Sequence, residues 1–114
     1  MPQNNSLFIG KFRTAVGTAS VQSTSATPVI LIPASGVGVN NDIVSATFTN
    51  ESPTDTVVNL NDGTITYKFA IASKGGGTFN FPTPLTATTS ATNWLISNSA
   101  SATIDCVIIY IRNT

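Results

Sequence analysis

The sequence predicts an all-β protein, namely a single-domain antiparallel β-sandwich that is jelly-roll-like. Three observations support this prediction. The chain has 114 residues, which is enough for one hydrophobic core and too few for two. Short β-branched and apolar runs are separated by Pro, Gly, Asn and Ser clusters, at the spacing typical of a sandwich. No stretch shows the period of a normal globular helix, so two packed sheets remain as the way to bury the apolar residues. An immunoglobulin-like sandwich is the alternative, although a single cysteine cannot form its usual disulfide.

Residues 1–13 are predicted as an N-terminal arm or edge strand, and residues 14–114 as the β-sandwich domain. Phe8, Gly10 and Phe12 alternate within a weak strand signal, and this pattern fits either an edge strand or an extended arm. The polar segment 16–27 holds either one short strand or a loop.

Five further strands are predicted where apolar or β-branched runs are bounded by turn residues. They cover residues 29–32, 43–49, 79–81, 94–97 and 103–112. Gly75, Gly76 and Gly77 come before the third of these strands and predict a flexible loop.

The clearest local signal is a β-hairpin around Asp62 and Gly63. Apolar side chains occupy every second position of the strand that follows: Ile65, Tyr67, Phe69 and Ile71. This alternation is typical of a strand buried on one face. Because an Asp-Gly pair readily adopts the positive φ of a two-residue loop, we expect Leu60 of the preceding strand, 57–60, to lie opposite Ile65.

The charge balance argues against two classes of partner, nucleic acids and membranes. Five basic side chains are matched by five acidic ones, so the chain lacks the basic surface that binds phosphates or anionic lipids. The longest apolar runs, 29–32 and 107–111, are far shorter than the roughly 20 residues of a transmembrane helix. The first residues show no secretory signal, so we expect synthesis in the cytoplasm.

No arrangement for catalysis is visible, and we predict that the protein is not an enzyme. The chain has no histidine, which removes Ser-His and Cys-His pairs. A pair of carboxylates is the remaining route to acid–base catalysis, but four of the five acidic residues have the context of turns or strand ends: Asp42, Asp55, Asp62 and Asp105. Cys106 shares one face of a predicted strand with Ile104 and Ile108, so we expect a buried, inert thiol.

No metal ion or other cofactor is predicted. Asn40, Asn41 and Asp42, together with Glu51 or Asp55, are oxygen donors of the kind that calcium prefers, but their spacing matches no known calcium loop. Transition metals need histidine or a second cysteine, and the chain has neither.

Sugar binding is the harder alternative to dismiss, because β-sandwiches often stack sugars on exposed aromatic rings. The candidate platform consists of Tyr67, Phe79, Phe81 and Trp94. Each of these residues lies in a predicted strand at a position that alternation assigns to the core, so we interpret them as core residues.

The low charge favours assembly. Only 9% of the residues are charged, so copies of the domain repel each other weakly, and a sandwich offers neutral strand edges to its neighbours. Association would cover apolar surface and add the burial that a small domain without an internal disulfide needs. The composition therefore favours an architectural role.

A series of short segments gives the sequence a family resemblance. They are Phe48-Thr49-Asn50-Glu51-Ser52, Asp62-Gly63-Thr64, Gly75-Gly76-Gly77, Phe81-Pro82-Thr83-Pro84-Leu85, Asn93-Trp94 and Val107-Ile108-Ile109-Tyr110. In the order and texture of these segments the chain resembles small virion structural proteins of tailed bacteriophages, most closely the capsid decoration or cement proteins, and the likeness covers roughly residues 42–112.

The resemblance implies a jelly-roll subunit, in three copies, that binds the major capsid protein on the outer capsid surface. Under it, the candidate capsid-binding residues are Asn4, Asn5, Phe8, Lys11, Phe12 and Arg13. The expected function is therefore to decorate and stabilise a phage capsid without catalysis. The alternative is a glycan- or receptor-binding sandwich of a phage fibre, a phage tail or a cell surface.

Overall fold

A computed structural model of the chain describes residues 16–113, and this part of the chain is all-β. It contains eight strands: β1 (Val16–Ser23), β2 (Val29–Ile32), β3 (Asn40–Asn50), β4 (Thr56–Asn61), β5 (Thr66–Ile71), β6 (Gly76–Leu85), β7 (Trp94–Asn98) and β8 (Ile104–Asn113). All the strands that the sequence predicts within residues 29–112 are confirmed, and β3 and β6 extend well beyond their predicted bounds.

The strands form two antiparallel sheets of four, sheet A (β1-β8-β3-β6) and sheet B (β2-β7-β4-β5). In sheet A, β1 pairs with β8 and β3 pairs with β6. In sheet B, β2 pairs with β7 and β4 pairs with β5. The first four strands therefore pair with the last four in reverse order, and successive pairs alternate between the sheets. This is the arrangement of a jelly roll, which confirms the predicted fold class.

One hydrophobic core lies between the two sheets. Its largest buried apolar side chains are Ile32, Ile43, Phe48, Val58, Leu60, Trp94, Ile96, Ile104 and Ile108. They sit at alternate positions along their strands, because successive side chains of a strand point to opposite faces. The ring of Phe48 in sheet A lies 5.2 Å from the ring of Phe69 in sheet B, measured between centroids, so aromatic contacts join the sheets.

The sequence left open whether residues 16–27 hold a strand or a loop. In the structure, β1 lies in this segment and is a full strand of sheet A. Its eight residues pair with eight residues of β8 without a bulge. The inner face of β1 is made of small residues, and a Cβ atom at Gly17 would come within 2.6 Å of the Tyr110 ring. Glycine at this position therefore lets the Tyr110 side chain lie flat across β1.

The hairpin register differs from the prediction by two residues. Leu60 lies opposite Tyr67 instead of Ile65, and the strands close at the pair Asn61 and Thr66. Ile65 is thus an exposed turn residue. The reason is the side chain of Asp62, which accepts hydrogen bonds from the backbone N–H groups of Thr64 (2.8 Å) and Ile65 (2.6 Å). These bonds stabilise a four-residue turn in place of the expected two-residue loop.

The predicted glycine loop is wrong for two of its three residues, because Gly76 and Gly77 begin β6. A Cβ atom at Gly76 would collide with the backbone carbonyl oxygen of Phe48 on the adjacent strand. Glycine is present here because two backbones approach closely, not because the chain needs a flexible segment.

Asn98 links both sheets through hydrogen bonds at the end of β7. It is completely buried, and its Oδ1 accepts hydrogen bonds from the Thr56 hydroxyl (3.1 Å) and the Ala102 N–H (2.8 Å). Its Nδ2 donates to the Ser23 hydroxyl (3.1 Å) and the Ala102 carbonyl (2.9 Å). Ser23 belongs to sheet A and Thr56 to sheet B, so one neutral amide joins the sheets without burying a charge.

Substitution of Gly76 tests the close approach of β6 to β3. We expect Gly76→Ala to lower the free energy of unfolding by about 1–3 kcal/mol, because the added methyl group forces the two backbones apart. Gly77→Ala is the matched control, since a Cβ atom there would meet nothing closer than 3.6 Å, at the Phe79 ring. Urea unfolding of both variants makes the comparison, and equal losses would contradict the steric explanation.

Asp62 gives a pH-dependent prediction. Burial by itself would raise the pKa of this carboxyl, but hydrogen bonds from the backbone of Ile65, Thr88 and Thr64 and from the Thr88 hydroxyl outweigh it and lower the pKa. Its stabilising effect is therefore complete above the ordinary aspartate pKa of about 3.9 and is lost as the pH falls through the lowered value.

We expect Asp62→Asn to lose about 1–3 kcal/mol of stability at neutral pH, because the new amide N–H group faces the Thr88 donors. The free energy of unfolding of the variant should also depend less on pH in the acid range, because the variant lacks the carboxylate that is protonated there. Asp55→Asn is the control, since Asp55 is exposed and accepts one backbone hydrogen bond, from Ser73. Urea unfolding across the acid range measures both effects, and an unchanged acid profile for Asp62→Asn would refute them.

Candidate functional site

The structure keeps the acidic residues of the described chain apart, with one exception. Asp62 is engaged in the hairpin turn, and the carboxylate of Asp42 accepts a hydrogen bond from the side chain of Asn113 (3.1 Å). The exception is Glu51 and Asp105, since a hydrogen bond with Asp105 and the charge of Asp105 raise the pKa of Glu51. Glu51 is exposed on an open surface, where no cleft holds a substrate between two carboxylates, as acid–base catalysis would need.

The oxygen donors that the sequence suggested for calcium do not meet. Asn40, Asn41 and Asp42 begin β3, whereas Glu51 follows the end of that strand, roughly 30 Å away at the rise of an extended strand. The side chain of Asn41 donates to the Pro33 carbonyl (3.1 Å) and is part of the loop structure. Within residues 16–113 there is no group of three or more Cys, Asp or Glu side chains that could hold a metal ion.

Cys106 is buried in the core, as the sequence predicts. Its side chain points inward from β8 between the positions of Ile104 and Ile108. Burial raises the pKa of the thiol to about 12, so the reactive thiolate is almost absent at neutral pH.

The four aromatic residues considered as a sugar platform pack inside the sandwich or along its open side. Trp94 is fully buried, and its indole N–H donates to the Asn41 carbonyl (2.7 Å). Tyr67 lies 6.0 Å from Trp94 between ring centroids, while Phe79 and Phe81 pack on Phe69. Tyr67, Phe79 and Phe81 remain half-buried at the side where β5 and β6 meet, so no flat, exposed ring is available among them for stacking.

A depression of about 430 Å³ lies at the ends of β4 and β5. Its walls are formed by Asp55, Thr56, Val57, Ala70, Ile71, Ala72 and Ser99. The carboxylate of Asp55 already accepts a hydrogen bond from the Ser73 N–H (2.8 Å). Because a binding site needs several polar groups that converge on a ligand, this depression does not have the features of a specific site.

The unusual surface of the protein is the outer face of sheet A. Three consecutive outward positions of β8 are apolar and β-branched: Val107, Ile109 and Ile111. Val107 and Ile109 are 47% and 42% exposed, and Val16 of β1, which is paired with Ile111, is 39% exposed. We name this row the β8 ridge, with Val107, Ile109, Ile111 and Val16 as its members.

Hydroxyl side chains flank the β8 ridge on both neighbouring strands. Thr18 and Ser20 of β1 lie opposite Ile109 and Val107 on one side, and Ser45 and Thr47 of β3 lie opposite the same residues on the other side. The Thr47 hydroxyl is itself hydrogen-bonded to the Thr78 hydroxyl of β6 (3.1 Å). The outer face of sheet A is therefore apolar in the centre and polar around it, with hydroxyl groups beside Val107 and Ile109 and the carboxylates of Asp42 and Asp105 towards the two ends.

The outer face of sheet B has a different character. Its central outward positions are polar, with Asn59 on β4 paired with Ser97 on one side and with Lys68 on the other. A charged and amide-rich surface is what a solvated sheet face normally carries. The centre of this face is thus more polar than that of sheet A, although towards its edge Ile30 of β2, paired with Leu95, is 51% exposed.

The capsid-binding residues that the sequence suggested, Asn4, Asn5, Phe8, Lys11, Phe12 and Arg13, lie outside the described residues. The boundary between residues 1–13 and 14–114 lies there as well. Within residues 16–113 the structure has no helix long and apolar enough to cross a membrane.

The solved structures that are similar to the chain include the following two. One is of Bacillus endospore appendages, described as a novel family of disulfide-linked pili; it is 16% identical, the match covers 88% of this chain and 88% of that chain, and the TM-score is 0.47. The other is a virus-like particle of extra small virus from the giant freshwater prawn Macrobrachium rosenbergii. It is 15% identical, the match covers 87% of this chain and 79% of that chain, and the TM-score is 0.41. No protein-family model and no curated protein sequence matches the chain.

The buried position of Cys106 predicts a thiol that does not react in the folded protein. We expect no labelling by a maleimide at about pH 8, where an exposed thiol is partly ionised, and rapid labelling after unfolding in guanidinium chloride. Val107→Cys is the matched control, because it adds an exposed thiol at the next position of the same strand. Rapid labelling of Cys106 in the folded protein would contradict its place in the core.

Proposed function

We propose that the protein is a virion structural protein that decorates and stabilises a phage capsid by binding the outer surface of the major capsid shell as an oligomer. The observation that carries this proposal is the β8 ridge, an exposed apolar row on a rigid, nearly uncharged jelly roll. Contiguous apolar side chains on a solvated face mark a surface for contact with protein, which in this proposal is the contact between copies in the oligomer.

The role proposed here needs no chemistry. A protein that binds the assembled shell, and not its separate subunits, stabilises the assembled state by mass action. An oligomer with one shell contact in each copy binds far more tightly than a single copy, because the later contacts form at high effective concentration. Three copies, as the family resemblance implies, fit a position on a local three-fold axis of a shell.

Labelling of particles tests this function. An antibody against the purified protein is applied to phage particles from a lysate of the source culture, and the gold label is located by electron microscopy. We expect label over the whole head surface and none on the tail. Label confined to tails or fibres would contradict capsid decoration and support the receptor-binding alternative, and particles without any label would contradict a role in the virion.

The candidate capsid-binding residues near the N-terminus can be tested by reversing their charge. Lys11→Glu with Arg13→Glu should weaken binding to particles stripped of the protein at least tenfold, since the capsid contact is proposed to use these two cations. Lys68→Glu with Arg112→Glu changes the net charge by the same amount at two exposed positions of the sandwich and should leave binding unchanged. Equal affinity of the two double variants in a sedimentation assay would remove the proposed role of residues 1–13.

A further inference from the structure

The outward residues of β8 break the pattern that its neighbours follow. An antiparallel sheet with one solvated face alternates apolar residues inside with polar residues outside. The outward residues of β1 and β3 next to the centre obey this rule, with Thr18 and Ser20 on one strand and Ser45 and Thr47 on the other. Only the strand between them has valine and isoleucine on both faces, so the centre of the outer face has the composition of a core.

From this geometry we infer that the outer face of sheet A is the contact surface for a second copy of the same chain, packed face to face across a two-fold axis. The two β8 ridges lie against each other and form the apolar centre of the contact. The hydroxyl rows on β1 and β3 form its polar rim. An apolar core within a polar rim is the usual composition of a protein interface.

The dimensions of the face fit a small, reversible interface. The eight residues of β1 span about 26 Å, and four strands spaced about 4.8 Å apart give a width of about 15–19 Å. Two such faces bury on the order of 1,000 Å² together, which is close to the lower limit for a specific interface. We therefore expect a dimer that forms at micromolar concentrations.

Charge favours one orientation of the pair. The chain is neutral overall, so two copies approach without long-range repulsion. Two acidic groups lie on the face: Asp105 at its exposed edge, which accepts a hydrogen bond from Gln22 (3.0 Å), and the buried Asp42 opposite Ile111, which accepts one from Asn113 (3.1 Å). A two-fold axis across the strand at Ile109 makes the two β8 strands antiparallel and separates the two Asp105 side chains by about 26 Å, well beyond the screening length of about 8 Å in physiological salt.

The proposed contact has one consequence for the copy number. A two-fold contact by itself gives dimers, and together with a separate three-fold contact it gives hexamers. In both cases the copy number is even. The inference goes beyond the proposed function, and particle labelling and solution mass can succeed or fail independently of each other.

The first experiment compares two substitutions of exposed isoleucines. Ile109→Lys places a charge at the centre of the face, while Ile65→Lys makes the same change at a residue of equal exposure, 44% against 42%, in the hairpin turn. Sedimentation velocity from about 1 to about 100 µM measures the mass of each protein, a range that brackets micromolar dissociation constants. We expect an even copy number for the unsubstituted protein and for Ile65→Lys, and at least tenfold weaker association for Ile109→Lys.

A milder pair of double variants provides the test if Ile109→Lys fails to fold. Val107→Thr with Ile109→Thr keeps β-branched side chains in β8 and removes apolar surface. Val29→Thr with Ile30→Thr makes the same changes at the exposed residues of β2 in sheet B. Both double variants should keep the far-ultraviolet circular dichroism of the unsubstituted protein, and only the first should associate more weakly.

The orientation has a direct test in Ile109→Cys, because the two copies of this residue meet at the axis. Because facing sheets lie about 10 Å apart, too far for a disulfide, a short bismaleimide should cross-link two copies of Ile109→Cys and none of Ile65→Cys, while the buried Cys106 takes no part. A monomeric mass up to about 100 µM, well above the expected dissociation constant, would overturn the inference. So would equal effects of the two lysine variants, or a trimer that Ile109→Lys dissociates, since a trimer needs a head-to-tail contact.

Discussion

Backbone hydrogen bonds run along both edges of β8, to β1 on one side and to β3 on the other. These two ladders place β8 in the middle of sheet A and determine the side on which each of its residues lies. Its inner residues, Ile104, Cys106 and Ile108, close the core. Its outer residues form the β8 ridge. The core and the proposed contact surface are therefore two faces of one strand, and the pairing of β8 with its neighbours positions both.

Most of the buried polar side chains that hold the sandwich together are neutral. Asn98 joins the two sheets with its neutral amide, and Asn50, also buried, donates to the carbonyl groups of Thr54 and Ala72. Two carboxylates are buried as well: Asp62, whose four hydrogen bonds hold the hairpin turn to Thr88, and Asp42, which accepts one from Asn113. Neutral amides satisfy buried backbone groups without the cost of desolvating an ion, which explains how so few charged residues suffice for this fold.

The small number of charged residues also bears on the proposed function. A surface of hydroxyl and apolar side chains makes contacts that change little with salt or pH, because few ionised groups take part. Such contacts suit the association of copies within the proposed oligomer. The rigidity of two hydrogen-bonded sheets also means that association requires little ordering of the subunit, so less of the contact energy is lost to entropy.

The sequence by itself determined the strands from β2 to β8, their inward faces and the buried position of Cys106, because these depend on local alternation and on turn residues. Only the tertiary structure decided the hairpin register, since the Asp62 carboxylate bonds to Thr88, a residue 26 positions away. The role of Gly76 was also beyond the sequence, because it depends on the Phe48 backbone of a neighbouring strand. The same holds for the β8 ridge: residues 107–111 form one apolar run, and only the packing of sheet B against one face of β8 shows that the other face is left uncovered by the described chain.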